Sequence, residues 1–192
     1  MERVRAFVGI DLPREGREQA ARLGAALAGL AGGGVSPVRA EAVHLTLRFL
    51  GDVPATGPAG LGAIVTALAA VSFAPFSLRC GGGGFFPDMT RPRVAWAGLA
   101  DGAPQCRALA AAVEAALVPL GFPPDPKPYR PHLTLARIRD AGRGRDWPGA
   151  LRLVSEAAWP TFPVAAFTLW RSILAPAGAR HEVLAVFAAD AG

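Results

Sequence analysis

His44-Leu45-Thr46-Leu47 and His132-Leu133-Thr134-Leu135 are identical tetrapeptides in a chain of 192 residues that holds three histidines in all. Two imidazoles and two hydroxyls are a set suited to phosphoryl chemistry. Hydrolysis of a cyclic phosphate needs a base to activate water and an acid to protonate the leaving oxygen. Imidazole, with an ordinary pKa of about 6.5, lets one histidine be neutral while the other is protonated near neutral pH. Threonine hydroxyls could donate to the non-bridging oxygens as charge builds on them, and a nearby arginine would add a bidentate contact. In a strand, alternate side chains share a face. His44 and Thr46 would therefore lie together, with Leu45 and Leu47 opposite, and likewise for the second tetrapeptide. A single His-x-Thr is a weak signal and reads better as a half-buried strand with a satisfied histidine. The repetition separates the two readings. Duplication of structure explains the kept leucines, but gives less reason for both copies to keep the polar pair on the outward face.

The elements that would carry these residues repeat too. Apolar periodicity predicts strands over 5–10, 43–50 and 76–80, with helices over 14–30 and 59–71. The glycines 32–34 stop the first helix. In the second half, strands are predicted over 93–99, 132–138, 167–174 and 182–188. Helices are predicted over 104–120 and 145–157, the last weakened by Pro148 and Gly149. The offset between the tetrapeptides is 132 − 44 = 88. The same offset carries Val8 onto Trp96 and the helix 14–30 onto 102–118. The expected fold is α+β: a bilobal, pseudo-two-fold duplicated unit of two mostly antiparallel sheets facing a central cleft, with helices on the outer faces. It forms one domain over 1–192, its lobes drawn from about 1–88 and 89–192.

Composition fits this reading. Hydrophobic residues make up 52% and charged residues 18%, enough apolar material for a core. The net charge of +5 rests almost wholly on arginine, Lys127 being the one lysine. That favours an anionic partner, although Ala-, Gly-, Pro- and Arg-rich coding accounts for such a bias equally well. Cys80 and Cys106 lack metal-like spacing and read as packing residues of a reducing cytosol. The uncharged stretch 53–78 contains Pro54, Pro58 and Pro75 and much alanine, so it reads as loop, helix and strand rather than a membrane span. Gly81–Gly84 lacks the Gly-Lys-Ser/Thr ending of a phosphate loop and reads as a turn or bulge. No close-spaced histidine pair suggests zinc, so neither metal nor cofactor is expected.

In combination these segments resemble the 2H phosphoesterase superfamily, most closely the bacterial and archaeal RNA 2′,3′-cyclic phosphodiesterases, also described as 2′-5′ RNA ligases. The resemblance runs through FVGIDLP at 7–13, HLTLRFLGDV at 44–53, GFFP at 84–87, RPRVAWAGL at 91–99, YRPHLTLAR at 129–137 and ARHEVLAVF at 179–187. It implies a site between two lobes and metal-free hydrolysis of a 2′,3′-cyclic phosphate to a 2′-phosphate. It places the family's functional positions on His44, Thr46, His132, Thr134 and Arg137. His44 is assigned as the acid for the 3′ oxygen and His132 as the base for water, with the swap left open. By strict alternation Arg48 shares the His44 face, whereas Arg137 lies opposite the His132 face unless its strand bulges, twists or ends first. Both arginines are therefore candidate phosphate ligands. Two positions depart from the pattern: His181 stands where relatives commonly carry an aromatic, and Arg171 where they carry an acid or amide. His181 reads as a strand-end surface residue.

Phe7, Phe86, Tyr129 and Trp170 could stack on a nucleobase, Tyr129 foremost because it lies in the loop entering the second motif. Tyr129 and Phe7 are kept as stacking candidates, ordinary core packing being the competing reading of Phe7. The expected partners are RNA with 2′,3′-cyclic phosphate ends or small cyclic nucleotides, handled by a cytoplasmic monomer that touches no membrane. Joining of RNA ends into a 2′-5′ bond would use the same groups. The reading from another class is a module that holds RNA ends without turnover. Such a binder needs positive charge and hydrogen bonds, not two titrating groups.

Overall fold

A computed structural model describes residues 2–31, 33–142, 145–175 and 178–190. In chain order it contains β1 (Arg3–Asp11), α1 (Arg14–Ala31), β2 (Val35–Pro37), β3 (His44–Pro54), α2 (Leu61–Ala69), β4 (Phe76–Phe86), β5 (Val94–Asp101), α3 (Ala103–Leu117), β6 (Leu133–Ile138), α4 (Trp147–Ser155), β7 (Thr161–Val164), β8 (Ala166–Ile173) and β9 (Arg180–Ala188). The strands β2 and β7 were not anticipated. They are three and four residues long, and each contains a proline, which hides the alternation that betrays longer strands. Of the glycines expected to end α1, Gly32 lies outside the described residues.

The strand order is β7-β4-β5-β6-β3-β1-β8-β9, with β2 added beside β6, and every pairing is antiparallel. This is two groups of four strands joined at the centre. The join is the pairing of Leu45 on β3 with Leu133 on β6. These two residues are themselves 88 apart, so the pseudo-two-fold of the duplicated unit passes through their pairing. The two sheets expected from the sequence thus meet as one curled sheet. Each group draws on both halves of the chain: β4 and β7 complete the group of β5 and β6, while β8 and β9 complete that of β1 and β3.

The helices cross over in the same way. α1 packs against β6 and β2, and α3 against β3, so each motif strand is backed by the helix from the other half. α1 turns Ala20, Leu23, Gly24, Leu27 and Ala31 inward at helical spacing. Gly24 allows the closest approach: a Cβ there would lie 2.5 Å from the Leu135 carbonyl oxygen. α3 buries Cys106, Leu109, Val113 and Leu117. Both cysteines are fully buried, and burial pushes each thiol up to about 12. α4 forms despite Pro148 because that proline sits in the first turn, where no backbone donor is needed, and Asp146 caps the helix by accepting from the Gly149 N–H at 2.7 Å.

The glycine run 81–84 lies inside β4 rather than after it. Its register against β5 shifts between Cys80 and Gly83, a bulge at which Gly82 adopts φ +64°. Among the described residues no helix is long and apolar enough to cross a membrane. The 53–78 stretch divides into strand end, helix and strand. The edge strand β9 exposes Val183 and Val186, a short apolar strip that periodicity alone did not single out.

Candidate functional site

The core face of each motif strand is dry. Leu45, Leu47, Leu133 and Leu135 are at most 4% exposed, and this burial turns His44, Thr46, His132 and Thr134 to the other side, where all are half-buried. Those four residues and Arg137 line one cavity of about 500 Å³. The antiparallel pairing that sets Leu45 opposite Leu133 places His44 by register toward Thr134, and Thr46 toward His132. Each imidazole thus comes beside the hydroxyl of the other motif.

Both imidazoles are oriented by the same local device. His44 Nδ1 lies 2.9 Å from the Ala42 carbonyl oxygen, and His132 Nδ1 lies 2.6 Å from that of Arg130. The two carbonyls are again 88 residues apart. A carbonyl only accepts, so each Nδ1 carries the hydrogen and each Nε2 is left as the working nitrogen. The first contact follows the 3-10 turn Ala40–Ala42, and the second comes from the irregular segment that leads into Leu133.

Aromatic pairs support the rings from behind. Phe7 and Trp170 stack at 5.2 Å and face His44 at 4.5 and 5.9 Å between centroids. Phe86 and Trp96 stack at 5.1 Å and meet His132 at 5.0 and 6.3 Å. The pairs occupy equivalent strands, β1 and β8 for one and β5 and β4 for the other, but not equivalent positions on β1 and β5: Trp96 faces Thr134, whereas Gly9 rather than Phe7 faces Thr46. That displacement hid the relation from a residue-for-residue comparison. Phe7 is 2% exposed and forms the floor under His44, offering no open face to a base. The Tyr129 ring is packed against the core, and its hydroxyl donates to the Thr46 carbonyl oxygen at 2.9 Å. It braces the first motif strand.

The two arginines part company at matching bulges. Between β5 and β6 the pairing passes from Trp96–Thr134 to Ala95–Ala136, leaving Leu135 as the extra residue. The slip carries Arg137 to the exposed groove face and buries Ala136. Between β1 and β3 the pairing passes from Gly9–Thr46 to Val8–Arg48, leaving Leu47 extra. Arg48 is drawn instead toward α3, where it pairs with Glu114 at 2.9 Å and donates to the Pro123 carbonyl. Its side chain is 13% exposed and lies outside the cavity shared by the histidines.

His181 was missed as a groove residue. Its ring stands edge-on to His44 at 5.0 Å and to Phe7 at 4.8 Å, and its buried Nδ1 has no hydrogen-bond partner among the described residues. The only signal in the sequence was the replacement of a usual aromatic, because β1 and β8 both lie between β9 and β3 in the sheet and nothing local reports the meeting. Burial, then the nearby His181, depress His44 to about 4, with Arg137 and His132 adding to the effect and the Ala42 contact opposing it. Burial also lowers His132, against the Arg130 carbonyl, and lowers His181. Burial in the groove therefore favours neutral imidazoles beside the positive charge of Arg137, a setting made for an anion. Among the described residues no three His, Cys, Asp or Glu side chains converge as a metal site would require.

A family described as LigT-like phosphoesterase matches residues 10–96 and 99–181. An RNA 2′,3′-cyclic phosphodiesterase of Archaeoglobus fulgidus is 34% identical over 184 residues, covering 96% of this chain and 99% of that protein. One of Aeropyrum pernix is 35% identical over 150 residues, covering 77% and 82%. Among solved structures, E. coli LigT complexed with 3′-AMP superimposes with a TM-score of 0.75 at 28% identity, covering 98% of this chain and 99% of that one.

Proposed function

The chain belongs to the LigT-like phosphoesterases, and from that membership we propose that it hydrolyses RNA 2′,3′-cyclic phosphate ends to 2′-phosphates with His44 and His132 as its acid–base pair. The observation that carries this reading is the matched presentation of two Nε2 atoms. Two carbonyls at equivalent positions hold the Nδ1 atoms, and the rings open into one cavity whose lining includes Thr46, Thr134 and Arg137.

Water attacks phosphorus in line with the 3′ oxygen. One neutral imidazole takes the proton from that water at Nε2. The other, as imidazolium, gives its proton to the 3′ oxygen as the P–O3′ bond breaks, and the phosphate stays on the 2′ oxygen. Because burial favours the neutral rings, the proton for the leaving oxygen is best held once the phosphate anion is bound beside it. Thr46, Thr134 and Arg137 are the donors for the non-bridging oxygens. Arg137 takes this part rather than Arg48, whose charge is already matched by Glu114. With the 5′-hydroxyl of a second RNA in place of water, the same step forms a 2′-5′ bond. The reaction needs no metal on this account.

The test is turnover of a short RNA with a 2′,3′-cyclic end by His44→Ala and His132→Ala. Loss of turnover with RNA-end binding kept supports the pair. Turnover at the wild-type rate in either variant sinks it.

A further inference from the structure

A second cavity, of about 790 Å³, opens beside the catalytic groove and shares Thr46, Phe49 and His132 with it. We propose that this cavity receives the RNA strand on the 5′ side of the cyclic end, gripping its phosphodiester backbone with Arg107 and Lys127 and stacking its bases on Phe49 and Phe86. The inference rests on the phosphodiesterase reading and extends it from the reacting phosphate to the polymer that carries it.

Three observations point to a single strand of nucleic acid. The first is charge. Arg107 from α3 and Lys127 and Arg130 from the 121–131 loop line the cavity, and none of them forms an ion pair among the described residues. The acids on the same wall are engaged: Glu114 accepts from Arg48 and from the Asp125 backbone N–H, and Asp125 accepts from the Lys127 backbone N–H. The wall therefore presents uncompensated positive charge to a polyanion. The second is Phe49. It is 69% exposed on the rim common to both cavities, which leaves its ring open to a stacked base. Phe86, half-buried against Trp96, closes the other side beside His132. Aromatic faces along a basic groove are how proteins hold single strands with little regard for sequence. The third is continuity. The two cavities share Thr46, Phe49 and His132, so a strand leaving a sugar whose phosphate sat between His44 and His132 would have a continuous path into this one.

The experiment compares adenosine 2′,3′-cyclic monophosphate with a short oligoadenylate bearing the same end, using the full chain and measuring kcat/KM for each. The oligonucleotide is expected to be the better substrate, mainly through KM. Its advantage should shrink with added salt by about 0.7 in log–log slope for each phosphate engaged, while the mononucleotide loses less. The double variant Arg107→Glu, Lys127→Glu should bring the ratio of the two kcat/KM values close to one and flatten the oligonucleotide's salt dependence. Equal efficiency of both substrates in the wild type overturns the proposal, as does a double variant that lowers both in proportion. In either case the phosphodiesterase reading stands. Conversion of neither substrate by the wild type overturns that reading, and this site with it. The salt slope of the wild-type protein decides the matter even if the double variant does not fold.

Discussion

His44 and His132 reach the groove through equivalent contacts, and their loss should be felt in turnover far more than in folding. Either alanine variant is expected to lower kcat by about 10²–10⁴-fold, with unchanged far-UV circular dichroism and retained binding of RNA ends. His181 works at one remove. It stands 5.0 Å from His44, and two imidazoles so placed resist sharing two protons. His181→Phe keeps an aromatic ring against Phe7 while removing the charge. The His44 titration, followed by its Cε1–H resonance, should then move upward from about 4 toward the ordinary value. It should stay below that value, because burial is the larger cause. A midpoint that stays put or falls would show that the two rings are not coupled. The depressed histidines also bear on stability. Between about pH 6.5 and about 4 the unfolded chain binds more protons at His44 than the folded one does, so unfolding free energy should fall as pH falls through that window.

At the scale of elements, Arg48→Ala and Arg137→Ala should fail in different ways. Arg137→Ala should raise KM or lower kcat with the melting temperature unchanged. Arg48→Ala removes the partner of Glu114 and the tie to the 121–131 loop, and should cost about 1–3 kcal/mol in urea unfolding. Gly24→Ala is a second structural test. Alanine is the better helix former by about 1 kcal/mol, yet its Cβ would press on the Leu135 carbonyl at 2.5 Å and push α1 off the second motif strand. Net destabilisation is expected; a stabilised variant would contradict the close approach. The motif strands and the long helices were legible in the sequence because their apolar spacing is regular and strong. The choice between Arg48 and Arg137 was not, because a one-residue bulge reverses which face a side chain takes and leaves no mark on composition. Nor was the work of Tyr129, Phe7 and His181. Their partners are 83, 37 and 137 residues away, at Thr46, His44 and His44, and they meet only once the sheet has formed.

At the scale of the whole molecule, the two groups of four strands cannot be separated by cutting the chain at its middle. β4 leaves the first half to pair with β5, and β8 returns from the second to pair with β1. One cooperative transition is therefore expected: tryptophan fluorescence, with Trp170 in one group and Trp96 in the other, should unfold at the same urea concentration as the backbone signal. Two separated transitions would mean lobes that fold independently. The pseudo-two-fold through Leu45 and Leu133 is what delivers both motifs to one groove, and the central claim is that this groove opens a cyclic phosphate with two imidazoles. The most direct test incubates a short RNA ending in a 2′,3′-cyclic phosphate with the protein in excess EDTA and locates the phosphate in the product. Conversion to a 2′-phosphate is expected. A 3′-phosphate product, or conversion that appears only when zinc or manganese is restored, would contradict it.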